Sequence, residues 1–484
     1  MSRYSFALLL LIASPMALWA PPSIWADEAK GADAESKTPA SRQIDDEYYE
    51  LFKVLVDVMD QVERNYVKDI DRRELMQAAI QGVLSKLDPY SNYIPPEQIS
   101  RFRTSIDSEF GGIGIQVSVE RGQLKVISPL VGTPAYRAGV LAGDHIVKIE
   151  GKTTKGITID EAVRRLKGKA GTEVKFTIVH HGGVKEEEIT VRREIVQIET
   201  VMGDLRGDDD AWDFLIDHEN KIGYIRIIAF SRETARHLRQ VVKALTEQEM
   251  RGLVIDLRFN PGGLLSSAIE ICDMFISEGR IVSTKDRAGR ERTWDATAPG
   301  TFSDFPMAIL VNRYSASASE IFSACLQDHE RAVIIGERTW GKGSVQNVVE
   351  LEGGKSALKL TTASYHRPNG KNIHRFPDAK PTDEWGVMPS EGFRLRLRDS
   401  QLAGLVRYRR QRDIVQPRKT PKDADSPVKT KPEPGDAVEA PDADERDADE
   451  RDAEERPDEK EGEYVDRQLK MALEHLLAEL KKES

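Results

Sequence analysis

The feature that most restricts this fold is a set of short apolar runs between residues 196 and 395. Segments 222–228, 252–257, 307–311 and 333–335 have strand length, and helical patterns near 232–247, 264–277 and 318–327 lie between them. Strands that alternate with helices in this way point to an α/β core. A further strand is expected at 358–364. The chain has 484 residues, too many for one typical domain, so other units are expected around this core.

Upstream, residues 43–105 read as a small helical region. Tyr48, Leu51, Leu55, Val58 and Val62 recur at helical spacing. A second helix is expected from about 73 to 87, closed by Asp88-Pro89, because proline disfavours helix in the residue before it. Residues 106–195 change to short strands at 116–119, 124–127, 145–149, 173–179 and 187–191, with an amphipathic helix at 159–166. After about residue 415 the composition collapses to Pro, Lys, Asp, Glu and Ala. Asp442 to Arg456 is a five-residue repeat, Asp-Ala-(Asp/Glu)-Glu-Arg, taken three times. Such a segment cannot bury a core, so 415–462 is expected to be a disordered acidic linker. The chain ends in an amphipathic helix, 463–482, with Val465, Leu469, Ala472, Leu476 and Leu480 on one face. That face must be covered by the body of the protein or by a second copy.

Charge and composition exclude several functions. The net charge is −11, and residues 433–463 alone hold sixteen acidic against four basic side chains. The remainder is near neutral, with no basic face for nucleic acid. Residues 1–26 read as an export signal: Arg3 precedes a short apolar run, 5–18, and small residues follow at Ala20 and Ala26. Cleavage is expected after Ala26, giving a protein of the periplasm or cell envelope with no membrane span. The alternative is an uncleaved anchor. Cys272 and Cys325 both lie in apolar helical patterns, where two buried free thiols are the simpler expectation than a disulfide. They are too few for a metal site, and no cofactor or metal is expected.

Three segments of the α/β core could carry chemistry. Asp256-Leu257-Arg258-Phe259-Asn260-Pro261-Gly262-Gly263 ends a strand in a Gly-Gly turn before a helix. Backbone N–H groups at such a turn can bind a developing oxyanion, although a plain strand-to-helix turn would look the same. Ser315-Ala316-Ser317-Ala318-Ser319-Glu320 joins a strand to a helix, where a serine is either a displayed nucleophile or a helix cap. Gly341-Lys342-Gly343-Ser344-Val345-Gln346 sets a lysine between two glycines, which let the backbone approach closely. Each segment alone has a bland reading.

Taken in order, the Asn-Pro-Gly-Gly turn, the Ser-Ala-Ser-Ala-Ser-Glu-Ile run and the Gly-Lys-Gly-Ser-Val-Gln run resemble the carboxyl-terminal processing proteases, also called tail-specific proteases. The resemblance spans roughly 43–400 and implies a crotonase/ClpP-like serine peptidase core at 196–400. It further implies Ser317 as nucleophile, Lys342 as general base, Gln346 as the residue orienting the base, and an oxyanion hole at the N–H groups of Gly263 and Ala318. Free lysine titrates near pH 10.4, so a lysine base must be desolvated, and we expect Lys342 in a dry pocket between strand 333–335 and helix 318–327. Residues 106–195 resemble a PDZ domain, with Gly112, Ile113, Gly114 and Ile115 as the carboxylate-binding loop. This implies protein substrates held by their C-termini, with an adaptor or a second copy of the chain as further partners. The resemblance further implies that the PDZ domain selects substrates or gates the site; the basic residue that commonly follows the PDZ helix in relatives is arginine, where this chain has Lys167-Gly168-Lys169. The rival readings are a PDZ-based binding or scaffold protein with an inactive core, a crotonase-like lyase, and a Ser-His-Asp triad using Asp328 and His329.

Overall fold

The computed structural model describes residues 46–415, apart from Pro381, and residues 464–482. The expected export signal, the segment 27–42 and almost all of the expected acidic linker lie outside the described residues. The first compact unit ends at Met76. Its helix Asp46–Asn65 has the expected periodicity, but Tyr48, Leu51, Leu55 and Val58 are all exposed. A second helix, Arg72–Leu84, follows.

In the larger unit, strands Ile115–Glu120, Gln123–Pro129, His145–Ile149, Glu173–Val179 and Glu186–Arg192 form an antiparallel sheet in that spatial order. Alternate residues turn inward, so Leu124, Val126, Val174, Phe176 and Ile178 are buried while Lys125 and Lys175 are not. The helix Ile159–Leu166 contributes Ala162 and Leu166 to the same core, and its first turn is capped by Thr158, whose hydroxyl accepts from Glu161 N–H. Strand Ile115–Glu120 is the edge of this sheet, pairing only with Gln123–Pro129 among the described residues.

The apolar runs form the central sheet. Strands Ile222–Ile227, Gly252–Asp256, Met307–Val311 and Val333–Gly336 lie side by side in parallel. Period two divides their side chains between two layers. Leu253, Ile255, Met307, Ile309 and Val311 meet helices Thr234–Glu247, Leu265–Asp273 and Ala318–Asp328. Tyr224, Val254, Ala308 and Leu310 point the other way, onto Leu469, Ala472 and Leu476 of the C-terminal helix Arg467–Lys482. A parallel sheet needs cover on both faces, which explains why these strands are apolar throughout. The C-terminal helix therefore docks on the body of its own chain. Its buried leucines contribute roughly 1.5–3 kcal/mol each. Val465 is not part of that face: it precedes the helix and is 51% exposed.

A second sheet, built from Asn92–Ile94, Arg280–Asp286, Glu291–Asp295, Ser344–Leu351 and Ser356–His366, flanks the core. It ties segment 88–94 to Ser356–His366, which in turn pairs with Ser344–Leu351, the strand that follows Lys342. Cys272 and Cys325 are free and buried, and burial together with the neighbouring Cys325 pushes the Cys272 thiol up.

Candidate active site

Ser317 sits at the strand-to-helix junction with φ 57° and ψ −113°, a strained conformation for a residue with a Cβ. Short hydrogen bonds hold it there. Its N–H donates to Glu320 Oε2 at 2.7 Å, and its carbonyl accepts from the N–H groups of Glu320 and Ile321, both at 2.9 Å. The Gly-Gly turn lies against it: a Cβ on Gly262 would stand 2.8 Å from Ser317 Cβ and 2.8 Å from Ala318 N. A Cβ on Gly263 would collide with the Phe230 carbonyl oxygen at 2.1 Å, so both positions require glycine. Asn260 fixes the turn. Its carbonyl accepts from Ala316 N–H and the Ser319 hydroxyl, each at 3.0 Å, and its Oδ1 accepts from Gly262 N–H at 2.8 Å. Ala318 is the first residue of its helix, where an N–H has no intrahelical acceptor. The N–H groups of Gly263 and Ala318 have no backbone acceptor among the described residues.

Glu320 joins the Ser317 segment to the Lys342 segment. Its side chain is fully buried. Oε2 accepts from Lys342 N–H at 2.8 Å as well as from Ser317 N–H, while Oε1 accepts from Gly341 N–H at 2.6 Å and the Thr339 hydroxyl at 2.5 Å. Burial pushes the Glu320 carboxyl up to about 6, and these four donors restrain the rise. Sequence reasoning passed over Glu320, although Ser317-x-x-Glu320 has the spacing of a helix capping box.

Lys342 is brought close through its backbone. Its flanking glycines allow this: a Cβ on Gly341 would lie 2.7 Å from Arg375 Cβ, and one on Gly343 would lie 2.2 Å from His374 N. Burial lowers the Lys342 amine below its ordinary range, with help from the nearby Lys359 charge, while Glu320 opposes the shift. The ammonium stands over the Tyr90 ring, 5.1 Å from its centroid. Glu320 of the helix Ala318–Asp328 is thus one neighbour of the lysine, and Tyr90, from segment 87–93, adds an aromatic one that was not expected. Among the described residues, no hydrogen bond joins Lys342 Nζ to Ser317.

Gln346 does not touch Lys342 by a hydrogen bond. Its Nε2 donates to Ser344 O at 3.0 Å and Ser344 Oγ at 2.9 Å, with a long contact of 3.5 Å to Thr361 Oγ1. Asp88 organises the segment that covers the lysine. Its carboxylate accepts from the N–H groups of Tyr90 and Ser91, from the Ser91 hydroxyl, and from Thr361 Oγ1 across the sheet at 3.1 Å. Trp340 Nε1 donates to the Tyr90 hydroxyl at 3.1 Å. Segment 87–93 had read only as a helix exit. Nothing local in it signals a partner some 250 residues away, and only the tertiary fold reveals one.

The PDZ-like loop lies beside the edge strand. Gly114 has φ 76°, and its carbonyl accepts from Leu130 N–H at 2.9 Å and from the Thr133 hydroxyl at 3.0 Å. The Ile113 carbonyl accepts from Ala135 N–H at 2.9 Å, and Ile113 is buried. Gly112 ends a strand paired with Glu194–Gln197, and Ile115 opens the edge strand. Lys167 lies over the Phe110 ring at 4.3 Å. The rival triad is disassembled: Asp328 is bound to Arg367 at 2.6 Å, and His329 Nε2 faces the Arg280 carbonyl at 2.7 Å.

Known protein families match three stretches of the chain. Residues 221–381 match the model of peptidase family S41, residues 111–191 that of the PDZ domain, and residues 11–98 that of the activating protease CtpB N-terminal domain. The chain is similar to a carboxy-terminal-processing protease of Bartonella bacilliformis, 38% identical over 364 residues, covering 74% of this chain and 81% of that one. It is similar to the carboxy-terminal processing protease CtpA of Bacillus subtilis, 35% identical over 326 residues, covering 67% of each. It is also 34% identical over 330 residues to a carboxyl-terminal-processing protease of Synechocystis, covering 67% of this chain and 73% of that one.

Proposed function

On the premise that this chain belongs to the carboxy-terminal processing proteases of peptidase family S41, and is a serine-type C-terminal processing protease, we propose that Ser317 is its nucleophile and Lys342 its general base. The observation that carries this reading is the single Glu320 oxygen that accepts the N–H groups of both residues. A serine hydroxyl needs an adjacent base, and a lysine can act only when desolvation favours its neutral form. Neutral Lys342 takes the Ser317 proton after its side chain rotates away from Tyr90. Ser317 Oγ then attacks the scissile carbonyl, and the N–H groups of Gly263 and Ala318 hold the oxyanion. The Lys342 ammonium protonates the departing amine, and water activated by the same lysine releases the acyl group. Gln346 orients the base once the lysine has turned.

The PDZ domain selects substrates by their C-termini, adding the tail as a strand along Ile115–Glu120 with its carboxylate at Gly112, Ile113, Gly114 and Ile115. The unpaired outer edge of that strand and the neighbouring helix Ile159–Leu166 support this. Export to the periplasm or cell envelope is supported by the signal-like residues 1–26. The exposed apolar residues of helix Asp46–Asn65 support a partner there, either a second copy or an adaptor.

The test compares wild type with Ser317→Ala on an unstructured protein bearing an apolar C-terminus. Wild type should cleave near that terminus, and the variant should lose at least about 10⁴-fold in kcat/KM. Equal cleavage by both would remove Ser317 from the mechanism. Binding of the tail with no cleavage by wild type would favour the scaffold reading.

A further inference from the structure

The C-terminal helix does more than cover the sheet. Arg258, two residues before Asn260, is buried, its side chain only 2% exposed. Asp256 accepts from its Nη2 at 2.6 Å and from its Nε at 3.0 Å. The remaining donors reach a segment 208 residues away: Nη1 and Nη2 bind the two oxygens of Asp466 at 2.9 and 2.7 Å, and Nη1 also meets Gln468 Oε1 at 3.1 Å. Asp466 is buried in turn, and its Oδ1 accepts from Leu469 N–H, so it also caps the C-terminal helix. Gln468 Nε2 donates to the Leu395 carbonyl at 2.7 Å.

Every N–H of this guanidinium is therefore engaged, most of them by residues that come after the acidic linker. Arg258 N–H also donates to Asp256 Oδ1 at 3.0 Å, which fixes the backbone at the start of the turn. The next residue, Phe259, has φ 63° and donates its N–H to Asn312 Oδ1 at 3.0 Å. The turn thus begins on one charged cluster and ends against Ser317. A guanidinium deprived of a buried carboxylate must recruit water or move, and either displaces the strand end that carries Asn260 and the two glycines.

We propose that the C-terminal helix is a working part of the active site: Asp466 is a positioning residue that sets the oxyanion turn through Arg258. The proposal rests on the peptidase reading above. It explains why a helix tethered by a linker unable to form a core is nonetheless buried at its first turn against the residues that precede the Gly-Gly turn. Misplacing reacting groups by about 1 Å costs on the order of 10²-fold in rate, and the loss should fall on the transition state, not on substrate affinity.

The test uses the full chain with Asp466→Asn and Asp466→Glu, a tail-bearing peptide substrate, and a peptide boronate that forms a tetrahedral adduct with Ser317. Wild-type capture by the boronate, absent in Ser317→Ala, establishes the peptidase reading independently. Given that, Asp466→Asn should lower kcat by about 10²-fold with little change in KM, and should weaken boronate binding by the same factor. Asp466→Glu should recover most of both. A folded Asp466→Asn protein with wild-type kcat and boronate affinity would overturn the proposal. If that variant does not fold, Leu476→Ala loosens the helix without touching the charged cluster. Amide exchange over residues 467–482 should then rise together with the loss of kcat, and exchange that rises while kcat stays constant would overturn the proposal as well.

Discussion

The two halves of the site are built differently. The half proposed to carry the nucleophile is backbone: Ser317 is held in a strained conformation by short bonds, and the Gly-Gly turn beside it is packed so tightly that two glycines admit no Cβ. The half proposed to carry the base is side chain: Lys342 is partly buried over an aromatic ring, and Gln346 turns toward Ser344. Glu320 is the joint between them. A rigid half can hold charge-stabilising donors without reorganisation, while a lysine that must change both protonation state and direction needs room to move. On the proposed mechanism, the difference gives preorganisation to the backbone and switching to the side chains.

The largest effect should come from breaking the proposed base half at Lys342. Lys342→Arg keeps a cation but cannot deprotonate, so kcat/KM should fall by about 10⁴-fold or more, with the thermal midpoint held near wild type. Steady-state kinetics beside a melting curve decides this, and retained turnover would point to another base.

Breaking the joint comes next. Glu320→Gln offers one acceptor oxygen where two served four donors, and each buried donor left unpaired costs about 1–3 kcal/mol. A loss of about 10²-fold in kcat is expected, and it should be larger than that of a peripheral change because both halves shift. The same substitution alters the pH dependence of stability. The folded carboxyl titrates at about 6 against an ordinary 4.5, so the native state binds more protons than the unfolded one in that window. Stability from this group is present below pH 4.5 and is lost as pH rises through 6, by about 2 kcal/mol. Urea unfolding at pH 4.5 and pH 7 should show that slope in wild type and its absence in Glu320→Gln.

The smallest effect sharpens the base half without destroying it. Tyr90→Leu keeps the apolar cover but removes the ring face, which favours the charged amine by about 0.5–1 kcal/mol. The Lys342 amine should titrate lower still, moving the rising limb of the kcat/KM profile toward acid by about half a unit. An unmoved limb would mean that the ring contact is lost before catalysis begins.

Much of the fold was legible because it rests on local pattern. Apolar runs of strand length placed the central sheet, and 307–311 coincides with the strand Met307–Val311. Helix 159–166 coincides likewise. The hairpin Arg280–Asp286 with Glu291–Asp295 and the helix Asp399–Asp413 were missed, since charged, weakly periodic segments carry little signal. Of the site, Ser317, Lys342 and the Gly-Gly turn stood out because their chemistry leaves a mark in the order of residues. Tyr90, Asp88, Arg258 and Asp466 did not, because their roles depend on partners far along the chain.

The sequence by itself determined the alternation of strands and helices, the PDZ-like unit, and the serine, lysine and glycines that the proposed catalysis uses, since periodicity and residue type are local properties. Only the tertiary structure decided which distant groups complete them. Burial removes water as a partner, so each buried charge takes whichever group the fold delivers: Glu320 receives the N–H groups of both the Ser317 and the Lys342 segments, and Arg258 receives a carboxylate from the residue that caps the helix Arg467–Lys482.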